Sequence, residues 1–200
     1  MVRVLIIGAN GTLGQAAVAA LKGRHEIITA GRSAGNVKVD LLDCQSIARM
    51  YKEAGKLDAV VTCTGHAHFG PLATMSEEQF MVGIKDKLMG QVNVVLIGQS
   101  LINDNGSFTL TGGVLDREPI RKGANASAVN GALNAFAMSA AVELPRSIRI
   151  NVVSPTVLEA SAAKYDGYFP GHIPVSSGRV GHAYVKSVEG AITGQVIKLD

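Results

Sequence analysis

The chain has 200 residues, 47% hydrophobic and 18% charged, with a formal net charge of +3. That is enough to bury one core of ordinary size, and its thin, scattered charge argues against nucleic acid as the main partner. Trp is absent and aromatics make up 4%, which argues against a stacking platform for sugars or single strands.

Val2 to Ile7 is a run of branched apolar residues that predicts a buried strand. Gly8-Ala9-Asn10-Gly11-Thr12-Leu13-Gly14 follows, and helical spacing then runs from Thr12 to Lys22 before Gly23. A strand, a glycine turn and a helix together offer backbone N–H groups and a positive helix end to a pyrophosphate. Gly8 permits the tight turn, Gly11 the close approach of phosphate, and Gly14 the packing of helix on strand. Glu26–Ala30 reads as strand two, ending in Gly31-Arg32-Ser33, and Asn36–Asp40 as a short strand three. Ser46–Ala54 has helical spacing, and Leu57–Cys63 is a fourth strand ending in Thr64-Gly65.

Ser76-Glu77-Glu78-Gln79 is a capping-box pattern opening a helix that runs to about Leu101. Ser107–Thr111 predicts strand five, and Ala126–Leu144 a long Ala-rich helix ended by Pro145. Ile148–Val153 predicts strand six with Pro155 just beyond, a last helix lies within Ser177–Val188, and Gly194–Leu199 is the final strand. Strands alternating with helices predict an α/β fold, a Rossmann-like doubly wound parallel sheet of about seven strands in one domain. Ligands of such sheets lie beyond the carboxyl ends of the strands. That gathers Gly8–Gly14, Arg32, Thr64–Gly70, Thr111–Arg117 and Pro155–Ser161 around one site.

Cys44 and Cys63 form no Cys-x-x-Cys pair, and no His/Cys spacing predicts zinc. Both are expected to be buried, in a reducing compartment, and no metal site is expected. With strand one beginning at Val2 and no apolar run of membrane length, a cytoplasmic protein is expected.

These residues resemble the short-chain dehydrogenase/reductase family over essentially the whole chain. The glycine turn is similar to the family's GxxGxxG turn, Thr62-Cys63-Thr64-Gly65 occupies the place of its Asn-Asn-Ala-Gly-like segment, and Gly70-Pro71-Leu72 follows. Ile148-Arg149-Ile150-Asn151-Val152-Val153-Ser154-Pro155 resembles its sixth strand, and Ile192-Thr193-Gly194-Gln195-Val196 its last. The resemblance implies a nicotinamide dinucleotide whose phosphates lie on Gly8, Asn10, Gly11, Thr12, Leu13 and Gly14. It places the adenine by Asp40 and Leu41, and the remainder of the cofactor against Cys63, Thr64, Gly65 and Pro155. Arg32 and Ser33 stand where an acidic residue would bind the ribose 2′-OH of NAD. A guanidinium and a hydroxyl suit a 2′-phosphate instead, so NADP is expected over NAD.

The catalytic positions depart from the pattern. The family's Tyr-x-x-x-Lys pair falls on Ala126 and Asn130, its serine on Gly112 or Gly113 with Thr111 the nearest hydroxyl, and its helix-four Asn on Lys87. A positioned general acid is worth about 10²–10⁴ in rate, and Ala126 cannot supply one. Lys87, if desolvated, has the chemistry of a proton donor or carbonyl polariser, and Asn130 can donate to a ribose. Thr111, Asn130 and Lys87 are therefore the catalytic candidates. His66 and His68 are further proton donors near neutral pH. Asp116 and Arg117 are candidates for a charged group, Tyr165 and Tyr168 for a lid phenol, and Ser127 faces another side of its helix.

The Ala- and Gly-rich fifth helix is expected to be covered on more than one side. The resemblance pairs helices four and five between subunits, as a homodimer or homotetramer. Ser161–Val175 is short beside the lid segment of the family it resembles, which implies a reduced lid and an open pocket. The expected function is oxidation or reduction of a small carbonyl or alcohol with a non-standard proton donor. The second reading is a dinucleotide-binding sensor without turnover.

Overall fold

The computed structural model describes residues 1–200. Seven strands form one parallel sheet: β1 (Arg3–Ile7), β2 (Glu26–Gly31), β3 (Val37–Lys38), β4 (Ala59–Thr62), β5 (Ser107–Thr111), β6 (Arg149–Pro155) and β7 (Val196–Leu199). Their spatial order is β3-β2-β1-β4-β5-β6-β7. The chain runs outward from β1 to β3, then returns to lay β4 on the other side of β1. That reversal leaves a crevice beyond the carboxyl ends of β1 and β4.

The period-two alternation of β1 supplies both layers of the core. Leu5 and Ile7 join Ile28, Val60, Phe108, Leu110 and Ile150 under α2 (Cys44–Ala54), α4 (Gly90–Gly98) and α5 (Ala124–Glu143). Val4 and Ile6 join Val61 and Val153 under α1 (Thr12–Leu21) and α6 (Ser177–Glu189). Helices therefore cover both faces, as the alternation predicts.

Several boundaries differ from expectation for local reasons. α2 opens at Cys44 rather than Ser46 because the Asp43 side chain accepts from the Gln45 N–H at 2.8 Å and caps it. Cys44 is consequently exposed, contrary to the expected burial, whereas Cys63 is buried. β3 is cut to Val37–Lys38: Asn36 spends its side chain on Thr29, and the Asp40 N–H turns to the Ser46 hydroxyl at 2.9 Å. β6 runs two residues further than predicted, to Pro155. The helix opened by the Ser76 capping box is not uniform. It comprises α3 (Glu77–Gly83), a π-helical turn (Ile84–Met89) and α4, and it ends at Gly98 rather than Leu101. No helix is long and apolar enough to cross a membrane.

Candidate functional site

Two adjoining cavities lie beyond the carboxyl ends of the strands and share Gly65 and His66 on their common wall. The first, of about 500 Å³, is lined by Gly8, Arg32, Ser33, Leu41, Thr64 and Asp86, among others. The second, of about 470 Å³, opens from Thr12 and Leu13 past Cys63, Lys87 and Asn130 to Pro155 and the lid. Most residues expected at the nucleotide thus line one of the two. Asn10 lies on the surface of the turn, where its carbonyl accepts from Gln15.

The glycine turn is built for close approach. Gly8 has φ +82°, and a Cβ there would lie 2.8 Å from the Cys63 carbonyl oxygen. A Cβ on Gly14 would lie 2.1 Å from the Gly8 carbonyl oxygen, so α1 can seat on the turn only without a side chain at that position. α1 starts at Thr12 with no side-chain cap, leaving first-turn N–H groups for an anion. This cradle fits a pyrophosphate.

At the far end of the first cavity, Arg32 is 68% exposed, with Nη2 at 3.5 Å from Asp40 and 4.0 Å from Asp86. Two carboxylates therefore hold the guanidinium loosely, free to swing to an incoming phosphate. The Lys38 ammonium donates to the Ser33 carbonyl beside it. That second cation was not singled out in the sequence, although the pairing of Gly31 with Lys38 across β2 and β3 brings it there.

The π turn sends neighbouring residues to opposite sites. The Asp86 side chain accepts from the His66 N–H at 2.8 Å beside the first cavity, while Lys87 enters the second and donates to the Gly112 carbonyl at 3.0 Å. Lys87 is half-buried and forms no ion pair. Burial lowers its pKa to about 8, opposed by the weaker pull of Asp116. Gly65, at φ +132°, lies against its stem, where a Cβ would sit 2.6 Å from Lys87 Cγ.

Asn130 also reaches this end of β5, donating to the Gly113 carbonyl at 3.1 Å, and its buried Oδ1 has no partner. Ala126 lines the same cavity. Thr111 does not. Its hydroxyl is buried in the sheet between the Thr62 carbonyl and the Tyr184 hydroxyl, the latter at 2.8 Å. It has no proton to give a ligand.

Gln91, buried on α4, pins that strand end: its Oε1 accepts from the Thr111 N–H at 2.8 Å and its Nε2 donates to the Thr111 carbonyl at 3.0 Å. The amide does for Thr111 what a longer β4 would have done. Gln91→Leu leaves both backbone groups unpaired, and thermal unfolding should show a loss of about 2–4 kcal/mol. An unchanged Tm would refute this.

Of the remaining candidates, His66 and Tyr165 line the second cavity; His68, Tyr168 and Ser127 do not. Asp116 and Arg117 turn inward instead of meeting a ligand. Arg117 donates to Asp116 and to Ser154, both at 2.8 Å, and also holds Asp200. Cys63 lines the cavity with its thiol pushed up to about 12 by burial, so it is no nucleophile. No cluster of three His, Cys, Asp or Glu side chains suits a metal.

Known proteins share this fold. Protein lin1944 from Listeria innocua is 48% identical over 100% of both chains, with a TM-score of 0.98. A small-chain dehydrogenase solved in complex with NADPH is 23% identical, over 100% of this chain and 96% of that one, with a TM-score of 0.87. A short-chain type dehydrogenase/reductase from Mycobacterium ulcerans is 19% identical, over 99% and 88%, with a TM-score of 0.86. No curated protein matches. The family described as enoyl-(acyl carrier protein) reductase matches residues 3–174. With that match and the seven-stranded sheet, the chain belongs to the short-chain dehydrogenase/reductase family.

Proposed function

We propose that the protein is an NADP(H)-dependent oxidoreductase of a small carbonyl or alcohol in which Lys87 moves the proton. The observation that carries this reading is the Lys87 ammonium, which enters a cavity beside the glycine turn with its pKa lowered to about 8. The NADPH held by the structural relative of the same fold supports the choice of cofactor. So does the fit of the uncapped α1 start, Arg32, Ser33 and Lys38 to phosphates.

When bound, the dinucleotide supplies or takes up a hydride at the carbonyl carbon. Lys87 donates a hydrogen bond to the carbonyl oxygen, gives it a proton as the C–O double bond becomes single, and regains one from water. The Gly112 carbonyl holds the ammonium in place, and the unpaired Oδ1 of Asn130 would accept a hydrogen bond from a ribose hydroxyl. In the oxidative direction the neutral amine takes the proton back.

Titration with NADPH and NADH, followed by nicotinamide fluorescence, tests the cofactor half of this reading. Binding of NADPH well below the Kd for NADH is expected. Arg32→Ala should shrink that preference about tenfold by removing one charge-assisted contact. Equal affinities in the wild type would refute the phosphate-reading role.

Ala126, at the position where the family resemblance implies a tyrosine, favours a second reading: a sensor that holds the dinucleotide without turnover. NADPH binding with no oxidation across a panel of aldehydes and ketones would select it. For assembly, Leu96 on α4 and Met138 and Val142 on α5 are exposed, Val142 by 84%. We propose that a second copy covers them; a monomeric mass by sedimentation would exclude this.

A further inference from the structure

The cavity in front of Lys87 carries cations and no anion. The side chains on its wall that can bear positive charge are His66, Lys87 and Lys164, and no Asp or Glu lines it. Glu159 and Asp166, on and just after the turn that carries Lys164, do not line the cavity, and three further carboxylates are committed elsewhere. Asp116 accepts from Arg117 and Asn134 at 2.8 and 2.6 Å, Asp86 lines the other cavity and accepts from the His66 N–H, and Glu118 lies 3.2 Å from His172 Nε2.

The cations are also spread along the cavity. Lys87 lies at the inner end, bonded to the tip of β5. Lys164 lies on the exposed turn Glu159–Tyr165, its ammonium 5.5 Å from the Tyr165 ring centroid. The wall is apolar at Ala67, Phe69, Val114, Leu115, Leu158 and Phe169. Two wall residues at least nine-tenths buried, Asn130 and Thr156, carry a polar atom without a partner, which marks the cavity as a place where a ligand's polar groups are received.

We propose that the substrate is an oxo acid: a carbonyl compound with an apolar body and a carboxylate, the carbonyl at Lys87 and the carboxylate at Lys164. A neutral ketone would leave the outer cation unmatched over an apolar wall. A carboxylate entering the same wall is paired there instead of being desolvated alone. Covering Lys164 also removes water from the pair and strengthens it beyond an exposed contact. The inference rests on the preceding reading that this cavity receives the substrate.

The test uses ligands that cannot be reduced, so that it does not depend on turnover. Calorimetry of the full chain with NADP present should find 4-phenylbutanoate binding about tenfold more tightly than 4-phenylbutanamide, the worth of one charge-assisted contact. Lys164→Gln should erase that preference while leaving the affinities for the amide and for NADPH unchanged, and Lys164→Arg should restore it. Equal affinities for acid and amide, no binding of the acid, or a preference that survives Lys164→Gln would each overturn the proposal. Loss of NADPH affinity in Lys164→Gln with the acid preference intact would overturn it by assigning Lys164 to the dinucleotide's phosphates. An acid preference together with no turnover of 4-oxo-4-phenylbutanoate, whose ketone and carboxylate stand at separate points of the chain, would leave the anion site standing and remove the oxidoreductase reading.

Discussion

Lys87→Ala lowers kcat/KM for carbonyl reduction by about 10²–10⁴ at pH 7, the range for one lost general acid, or about 3–5 kcal/mol of barrier. The Kd for NADPH is expected to change far less, because the glycine turn and the cavity at Arg32 are untouched, although Lys87 shares its own cavity with Cys63, Gly65 and Pro155. Its pH dependence separates a proton donor from a packing residue. Reduction needs the ammonium, so kcat/KM falls as pH rises through about 8, the value to which burial lowers Lys87. Oxidation needs the amine and rises over the same range. Lys87→Ala loses both limbs. Lys87→Arg keeps a charge but not a proton that can leave near neutrality, so it too loses the limb. A wild-type profile in either variant would remove Lys87 from the chemistry.

The same shift has a consequence for stability, with its sign fixed by linkage. Lys87 holds its proton more weakly folded than unfolded. Between pH 8 and its ordinary pKa of 10.5 the unfolded chain binds more protons, and this site's contribution favours the folded state increasingly as pH rises. The desolvation cost is present in full below pH 8. Lys87→Met, which keeps the stem packed against Gly65 without the charge, relieves it.

The frame of this site is legible in the residues because it depends on local rules. The apolar run of β1, the glycines after it and the capping box at Ser76 each act within a few positions, and each appears where expected. Lys87 stands out only through the family resemblance, which implies an Asn at its position on helix four. Its setting does not stand out, because that comes from a π turn at Ile84–Met89 and from Gly65 across the crevice. Thr111 illustrates the reverse case. A hydroxyl at the end of β5 reads as available, but its availability is decided by Tyr184, which belongs to α6 and is distant in sequence. Asp116 and Arg117 fail the same way: their partners Ser154 and Asp200 are brought by β6 and the end of β7. Long-range partners decide whether a polar side chain serves a ligand or the fold, and spacing does not record them.

Gly14→Ala abolishes measurable NADPH binding and lowers the stability of the fold, with both effects arising from one contact. The added Cβ would lie 2.1 Å from the Gly8 carbonyl oxygen and 2.6 Å from the Ala9 Cα, both backbone atoms that no rotamer change can move aside. Either α1 lifts off β1 or the turn opens. Lifting α1 pulls Ala16, Ala17 and Leu21 out of the core they share with Val180 and Tyr184 of α6, a disturbance of the overpacking kind worth about 1–3 kcal/mol or more. Opening the turn displaces Gly8, which cannot retreat toward β4 because the Cys63 carbonyl already lies against it. In both cases the first N–H groups of α1 no longer converge on one phosphate, and the helix end acts only on what it touches. Gly11 provides the internal control. A Cβ there meets nothing closer than 3.5 Å, so Gly11→Ala leaves Tm near wild type and acts on affinity alone, through the space the phosphate needs. Thermal unfolding beside NADPH titration reads both. A Gly14→Ala protein with wild-type Tm and affinity would show that the turn yields more easily than its backbone contacts allow, and would take the phosphate cradle away from this stretch of chain.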